Sequence, residues 1–202
     1  AHLDHVAGLP LLVDRVFDED VATPLTVYAR EETLAAVQAH LFNDVIWPDF
    51  GKLPTEENPM LRYRVCGPGD TVGIGHRNFH AVEVMHSVPS LGFTVQNSGG
   101  VFAVSGDTKS NETLWPVLNA CDDLKVLVIE VSFPDEMASL AQDSGHYTPK
   151  SLTEDLERLR HEPEIWLTGM KPGEEQRIFR QVVKAVPDKN IQMLSRGTVL
   201  TV

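Results

Sequence analysis

Apolar strand-like runs first cluster along this chain and then alternate with predicted helices, which restricts the fold more than any other feature. The runs cover residues 81–85, 92–96, 101–105, 126–131, 165–168, 191–194 and 198–202. The 3.6-residue apolar period predicts helices over 113–120, 149–160 and 173–185. Such an order is typical of an α/β fold, with a sheet inside and helices outside.

The first third of the chain has weaker patterns. A helix is predicted after His5, because the next apolar residues fall near a 3.6-residue period. A strand over 25–29 and a helix over 31–42 follow, and the Pro-rich segment 43–68 is predicted to be an irregular insertion. The acidic run Asp14, Asp18, Glu19 and Asp20 is most simply a solvated helix end.

Length and charge narrow the classes of function. The 202 residues fit one domain, predicted over 1–202, and the net charge of −12 disfavours a large polynucleotide footprint. Cys66 and Cys121 form no CxxC pair and are interpreted as reduced cysteines of a cytoplasmic protein, with a single disulfide as the alternative. No apolar run reaches membrane-spanning length, so no membrane association is predicted.

The opening residues concentrate side chains that bind metals. His2, Asp4 and His5 fall within four residues, and a loop there would let two imidazoles and a carboxylate converge. These ligand types suit zinc, manganese or iron. The alternative is a polar loop with incidental histidines.

Three later residues stand where strands end or helices begin. His86 follows the run 81–85, Asp107 follows an apolar run through Gly106, and His146 precedes the helix that Pro149 opens. Taken singly, each has a simpler interpretation: a capped surface residue, a helix cap and a loop histidine. Their order along one chain gives them a common meaning.

Together these features resemble the metallo-β-lactamase superfamily. Its HxHxDH signature matches His2-Leu3-Asp4-His5, with the first histidine falling before Ala1. Four short motifs make the resemblance to class II cyclic-nucleotide phosphodiesterases more specific. They are Ile46-Trp47-Pro48, Ser105-Gly106-Asp107-Thr108, Glu130-Val131-Ser132-Phe133 and Gly145-His146-Tyr147-Thr148-Pro149. Ribonuclease Z is a related enzyme with similar motifs at most of these positions.

The resemblance implies an αββα sandwich whose N-terminal part precedes residue 1. It also implies two divalent metal ions, Zn²⁺ first and Mn or Fe as options, with ligands at five positions: His2, Asp4, His5, His86 and Asp107. Asp107 would bridge the two ions. One motif, Thr168-Gly169-Met170-Lys171-Pro172, departs from the family pattern. Gly169 stands where the family has its last histidine ligand. The second site is then incomplete, or water or His146 completes it, or the residue was altered.

The implied activity is metal-dependent phosphodiester hydrolysis, with a cyclic mononucleotide such as cyclic AMP as the small-molecule partner. Asp4 would orient the attacking water or accept its proton, and His146, oriented by Glu130, would protonate the leaving oxygen. The alternatives are a ribonuclease Z-like tRNA 3′-end endonuclease, which the acidic charge disfavours, and a binding or sensor domain with a degenerate metal site. A homodimer is a further option.

Overall fold

The computed structural model describes residues 1–17 and 23–202, which form two compact units. The first unit covers Ala1–Gly67 and the second covers Pro68–Val202. Three residues of the predicted acidic helix end, Asp18, Glu19 and Asp20, lie outside the described residues. Within the two described ranges, no helix combines the length and the apolar character needed to cross a membrane.

The first unit places short helices beside a pair of parallel strands. Its elements are α1 (Leu3–Val6), α2 (Gly8–Val16), β1 (Leu25–Ala29), α3 (Glu31–His40) and β2 (Leu61–Val65). Its buried apolar cluster consists of Val13, Val37, Phe42, Phe50, Met60 and Leu61. The predicted irregular insertion over 43–68 is wrong at its end, because β2 pairs there with β1. Two arginines in β2 hid this strand from the apolar pattern.

The second unit contains a seven-stranded sheet whose strands follow one another in chain order. They are β3 (Thr71–Ile74), β4 (Arg77–Val84), β5 (Ser90–Asn97), β6 (Gly100–Val104), β7 (Leu124–Glu130), β8 (Glu164–Thr168) and β9 (Ile191–Met193). Strands β3 to β6 are antiparallel neighbours, whereas β6 to β9 pair in parallel. The mixed sheet confirms the predicted α/β class.

Helices supply the crossovers between the parallel strands. They are α4 (Leu114–Asn119), α5 (Ala138–Ser144), α6 (Pro149–Leu156) and α7 (Glu175–Ala185). Every residue of β7 except Lys125 is buried, and the core around it includes Trp115, Tyr147 and Leu152. Parallel strands bring their carboxyl ends to one edge of a sheet, and sites in such folds are built at that edge. The loops after β6, β7 and β8 therefore meet at the same place.

Two patterns misled the sequence prediction in this unit. Thr198–Val202 alternates like a strand but forms none, because strand propensity depends on a partner to pack against. Strand β3 and helix α5 were not predicted, since both are short and mostly exposed. No disulfide joins Cys66 or Cys121 in the part of the chain described, as predicted.

Candidate active site

Asp107 stands beyond the end of β6 because the chain turns sharply at Gly106. The φ of Gly106 is +63°, and a Cβ there would lie 2.8 Å from the carbonyl oxygen of Leu91. Glycine adopts this conformation at no steric cost, whereas other residues would be strained and would collide. The predicted tight turn before Asp107 is confirmed.

Thr108 fastens the Asp107 loop to the segment that carries His86. Its hydroxyl accepts the N–H of Met85 at 3.1 Å, and the N–H of Lys109 donates to the Met85 carbonyl at 2.8 Å. Asp107 and His86 are therefore each one residue from this junction. As a result, Oδ2 of Asp107 lies 3.9 Å from Nε2 of His86.

His86 is oriented by a backbone carbonyl. Its Nδ1 lies 2.9 Å from the Gly145 oxygen, an acceptor, so Nδ1 carries the proton and the neutral ring has its lone pair on Nε2. Gly145 has a φ of +81°, and a Cβ there would lie 2.7 Å from the Ser87 nitrogen. This close approach of two backbones requires glycine.

This donor set suits a divalent ion. A histidine that presents Nε2 while Nδ1 is held by a carbonyl is the usual arrangement of a metal-binding imidazole. The carboxylate of Asp107 lies on the Nε2 side, and imidazole with carboxylate is a ligand combination for zinc, manganese and iron. The residues therefore fit the metal that the sequence resemblance implies.

Glu130 ends β7 as a buried carboxylate with four hydrogen-bond donors. Oε1 accepts the N–H groups of Thr108 at 3.1 Å and Tyr147 at 3.2 Å, and it lies 3.0 Å from Nδ1 of His146. Oε2 accepts the hydroxyl of Ser132 at 3.0 Å. Burial raises the pKa of the Glu130 carboxyl, and the hydrogen bonds from His146, Thr108 and Tyr147 oppose that increase. This single side chain ties together the loops that follow β6 and β7 and the segment before α6.

His146 is held in the same network. Because Glu130 Oε1 accepts at Nδ1, the opposite ring nitrogen Nε2 is the one left to meet a substrate. The His146 ring lies against His86, with centroids 4.8 Å apart, and against Phe133, with centroids 5.7 Å apart. Helix α6 begins directly afterwards with Pro149 in its first turn, as predicted, and Thr148 closes a capping box there with Ser151. The geometry thus places an oriented imidazole beside the candidate metal ligands.

Gly169 follows β8 with a φ of +74°, and its carbonyl accepts the Ser132 hydroxyl at 3.0 Å. A Cβ at this position would lie 3.3 Å from the Glu130 Cβ and 3.6 Å from the Ser132 Oγ. Histidine is among the residues more often found at positive φ. The position therefore faces the site network but offers only backbone atoms to it.

The remaining predicted ligands belong to the first unit. His2 is the N-cap of α1, and Asp4 and His5 lie within α1, with 3.9 Å between their side-chain atoms Oδ2 and Nε2. The expected loop is therefore wrong: a single helical turn carries these side chains. The second unit brings together His86, Asp107, Glu130 and His146.

Sequence reasoning missed three residues that shape the site: Thr108, Ser132 and Gly145. Each lies inside a motif that supported the family resemblance, so the signal was present in the sequence. The motifs could not indicate which atoms these residues contact, because those contacts join loops far apart along the chain.

Residues 1–168 match the model of the family described as the beta-lactamase superfamily domain. The match covers most of the chain, which therefore belongs to the metallo-β-lactamase superfamily, as the resemblance predicted. Unliganded yeast PDE1 has a similar fold, with a TM-score of 0.77, 21% identity and coverage of 95% of this chain and 63% of that one. The short form of human tRNase Z gives a TM-score of 0.65 at 17% identity, covering 99% of this chain and 75% of that one.

Among curated relatives, a probable 3′,5′-cyclic-nucleotide phosphodiesterase of Yersinia pestis is 28% identical over 174 residues. The match covers 79% of this chain and 49% of the relative. The chain thus spans about half the length of that protein. These comparisons establish the family and the fold.

Proposed function

We propose that the chain is a metal-dependent phosphodiester hydrolase that cleaves 3′,5′-cyclic nucleotides, cyclic AMP first among them, to 5′-mononucleotides. The observation that carries the proposal is the Glu130–His146 pair, held at 3.0 Å, beside His86 and Asp107. An oriented imidazole next to metal-type ligands is suited to protonating a leaving oxygen. Similarity to a relative named as a cyclic-nucleotide phosphodiesterase supports the substrate class.

In this proposal His2, Asp4, His5, His86 and Asp107 would hold the divalent ions, with zinc as the first choice. A bound divalent ion lowers the pKa of water to about 7 and offsets the charge of a phosphate. The proposed assignment of the first three ligands rests on the family signature. A cytoplasmic location and a homodimer remain predictions that cell fractionation and light scattering can check.

The protein side chains divide the remaining work. Asp4 orients the attacking water or accepts its proton, and His146 gives a proton from Nε2 to the 3′ oxygen as its bond to phosphorus breaks. Glu130 keeps the His146 ring in place through Nδ1. General acid help of this kind contributes about a hundred- to ten-thousandfold to the rate.

A substrate panel tests the proposed activity directly. With Zn²⁺ or Mn²⁺ supplied, we expect turnover of cyclic AMP or cyclic GMP to a 5′-mononucleotide and no cutting of a tRNA precursor, because a net charge of −12 disfavours binding of a polynucleotide. Chromatography of the nucleotide products and a gel of the precursor measure the two outcomes. Cleavage of the precursor without turnover of cyclic nucleotides would favour the endonuclease. Metal binding without cleavage of either would favour a binding or sensor domain.

Gly169 predicts an unequal pair of metal sites. Without an imidazole at this position, one ion should be held tightly and the second should be lost easily to a chelator. Gly169→His should tighten the second ion by about tenfold or more and raise phosphodiesterase activity, since a protein ligand replaces water. Titration calorimetry with Zn²⁺ and a rate assay on both proteins measure these changes.

Gly169→Ala is the matched control. It shares the Cβ, 3.3 Å from the Glu130 Cβ, and the positive φ, whose strain costs about 1–2 kcal/mol, but it adds no ligand. Its metal affinity should stay at the wild-type level. If the wild-type protein already holds two ions tightly and Gly169→His alters neither affinity nor rate, another residue completes the site, with His146 the first to examine.

A further inference from the structure

Ser132 is a buried hydroxyl at the centre of the site network, with only 1% of its surface exposed. Its Oγ lies 3.0 Å from Glu130 Oε2, 3.1 Å from His146 Nδ1 and 3.0 Å from the Gly169 carbonyl oxygen. These three partners lie at the end of β7, before α6 and after β8.

Hydrogen-bond accounting assigns a direction to each contact. A hydroxyl has one proton to donate and can accept in return. Because Glu130 Oε1 accepts from Nδ1–H of His146, Ser132 Oγ serves as a second acceptor for the same N–H. Its own proton is then shared between the Glu130 carboxylate and the Gly169 carbonyl, whose oxygens each lie 3.0 Å from Oγ. The hydroxyl therefore adds a contact between the His146 ring and the Gly169 carbonyl that the Glu130 carboxylate does not make.

The backbone of Ser132 reinforces the same link. Its N–H donates to the Tyr147 carbonyl at 3.1 Å, and its carbonyl accepts the N–H of Lys171 at 3.0 Å. The residue is thus anchored to the neighbours of His146 and of Gly169 before its side chain makes any contact. Because these two bonds fix the backbone of Ser132, the position of its hydroxyl relative to the His146 ring and the Gly169 peptide is restricted.

We propose that Ser132 is a positioning residue that sets the orientation and the tautomer of His146 and holds the Gly169 peptide in register with it. The role in turnover rests on the proposed function, whereas the effect on the His146 ring does not. Without the hydroxyl, Nδ1 of His146 has one acceptor instead of two, so the ring turns away from Glu130 for part of the time and can then exchange tautomers. The backbone contacts of residue 132 persist, so the loops stay connected.

Ser132→Ala and Ser132→Cys both remove the hydroxyl. The Cys variant keeps a side chain of similar shape with a much weaker hydrogen-bonding group, whereas Ser132→Thr retains the hydroxyl. Thr153→Val is the control, because Thr153 is a buried residue of α6 whose hydroxyl bonds only to the Lys150 carbonyl in the described structure. Long-range ¹H–¹⁵N NMR spectra of the metal-free proteins report the tautomer of His146 without any need for activity. We expect one Nδ1–H tautomer in wild type, Ser132→Thr and Thr153→Val, and a mixture in the Ala and Cys variants.

Turnover of cyclic AMP provides the second measurement. We expect kcat to fall about ten- to a hundredfold in the Ala and Cys variants with KM and metal content unchanged, as for other supporting hydrogen bonds. Ser132→Thr should recover most of this loss. Identical His146 spectra in wild type, Ala and Cys would overturn the proposal, as would equal losses in all three Ser132 variants. If no cyclic nucleotide is turned over, the proposed function fails and the spectra still decide the role of Ser132.

Discussion

Asp107→Ala is expected to lose most of the bound transition metal and, with it, the hydrolytic activity. Asp107 offers its carboxylate 3.9 Å from His86 Nε2, at the end of a loop that Gly106 and Thr108 hold in place. Loss of a residue that merely supports a metal ligand already costs about 10- to 100-fold in affinity, so loss of the proposed ligand itself should cost about a hundredfold or more. Elemental analysis of the purified proteins and a Zn²⁺ titration measure the effect.

The control for this variant is Asp123→Ala. Asp123 precedes β7, at the opposite end of the sheet from Asp107, and its carboxylate pairs with Lys125 at 2.9 Å, with both side chains about half exposed. Such surface pairs contribute little to stability, so Asp123→Ala should keep its metal and its fold. Equal metal content in wild type and Asp107→Ala would contradict the assignment of Asp107 as a ligand.

His146→Ala should slow turnover of a cyclic nucleotide by about a hundred- to ten-thousandfold while metal content stays nearly intact. The reason is that the 3′ oxygen needs a proton as it leaves, and within residues 1–17 and 23–202 no other imidazole is held by the Glu130 carboxylate. The defect should shrink for a nitrophenyl phosphodiester, whose leaving group needs little protonation. Steady-state rates with both substrates, compared with metal analysis, separate these effects.

His40→Ala serves as the control for His146→Ala, because His40 is an exposed residue at the end of α3. Its rates with both substrates should match those of the wild type. An equal defect with both substrates would remove His146 from the role of acid. Loss of metal in His146→Ala would instead make His146 a ligand, and it would then be the residue that compensates for Gly169.

The sequence predicted strands β4 to β9 along the chain and placed their carboxyl ends within one residue, because buried parallel strands such as β7 are nearly continuous apolar runs. It also placed Asp107 after a tight turn, since Gly106 followed by an acid is a local signal. It missed β2, whose alternate arginines resemble a polar loop, and it expected a loop where α1 forms. Short elements depend on their neighbours, which a single segment does not contain.

The family motifs indicated which residues belong to the candidate site. They did not indicate which hydrogen bonds keep those residues in position. The bond from His86 Nδ1 to the Gly145 carbonyl joins positions 59 residues apart, and the Ser132–Gly169 bond spans 37 residues. No local pattern contains such a pairing. The Glu130–His146 pair was accessible only because a related pair was known from ribonuclease Z-like enzymes.

The four donors that converge on Glu130 come from three separate stretches of chain, and this affects how the site responds to a ligand. A loop that could swing alone would first have to leave a buried carboxylate without a donor, which is costly. The stretches that carry Asp107 and His146 are therefore stiff with respect to each other, and their arrangement is settled when the protein folds. A site prepared in this way does not reorganise as charge develops on the substrate. Under the proposed function, discrimination among phosphodiesters would depend on which molecules fit between fixed groups and much less on closure around the correct one.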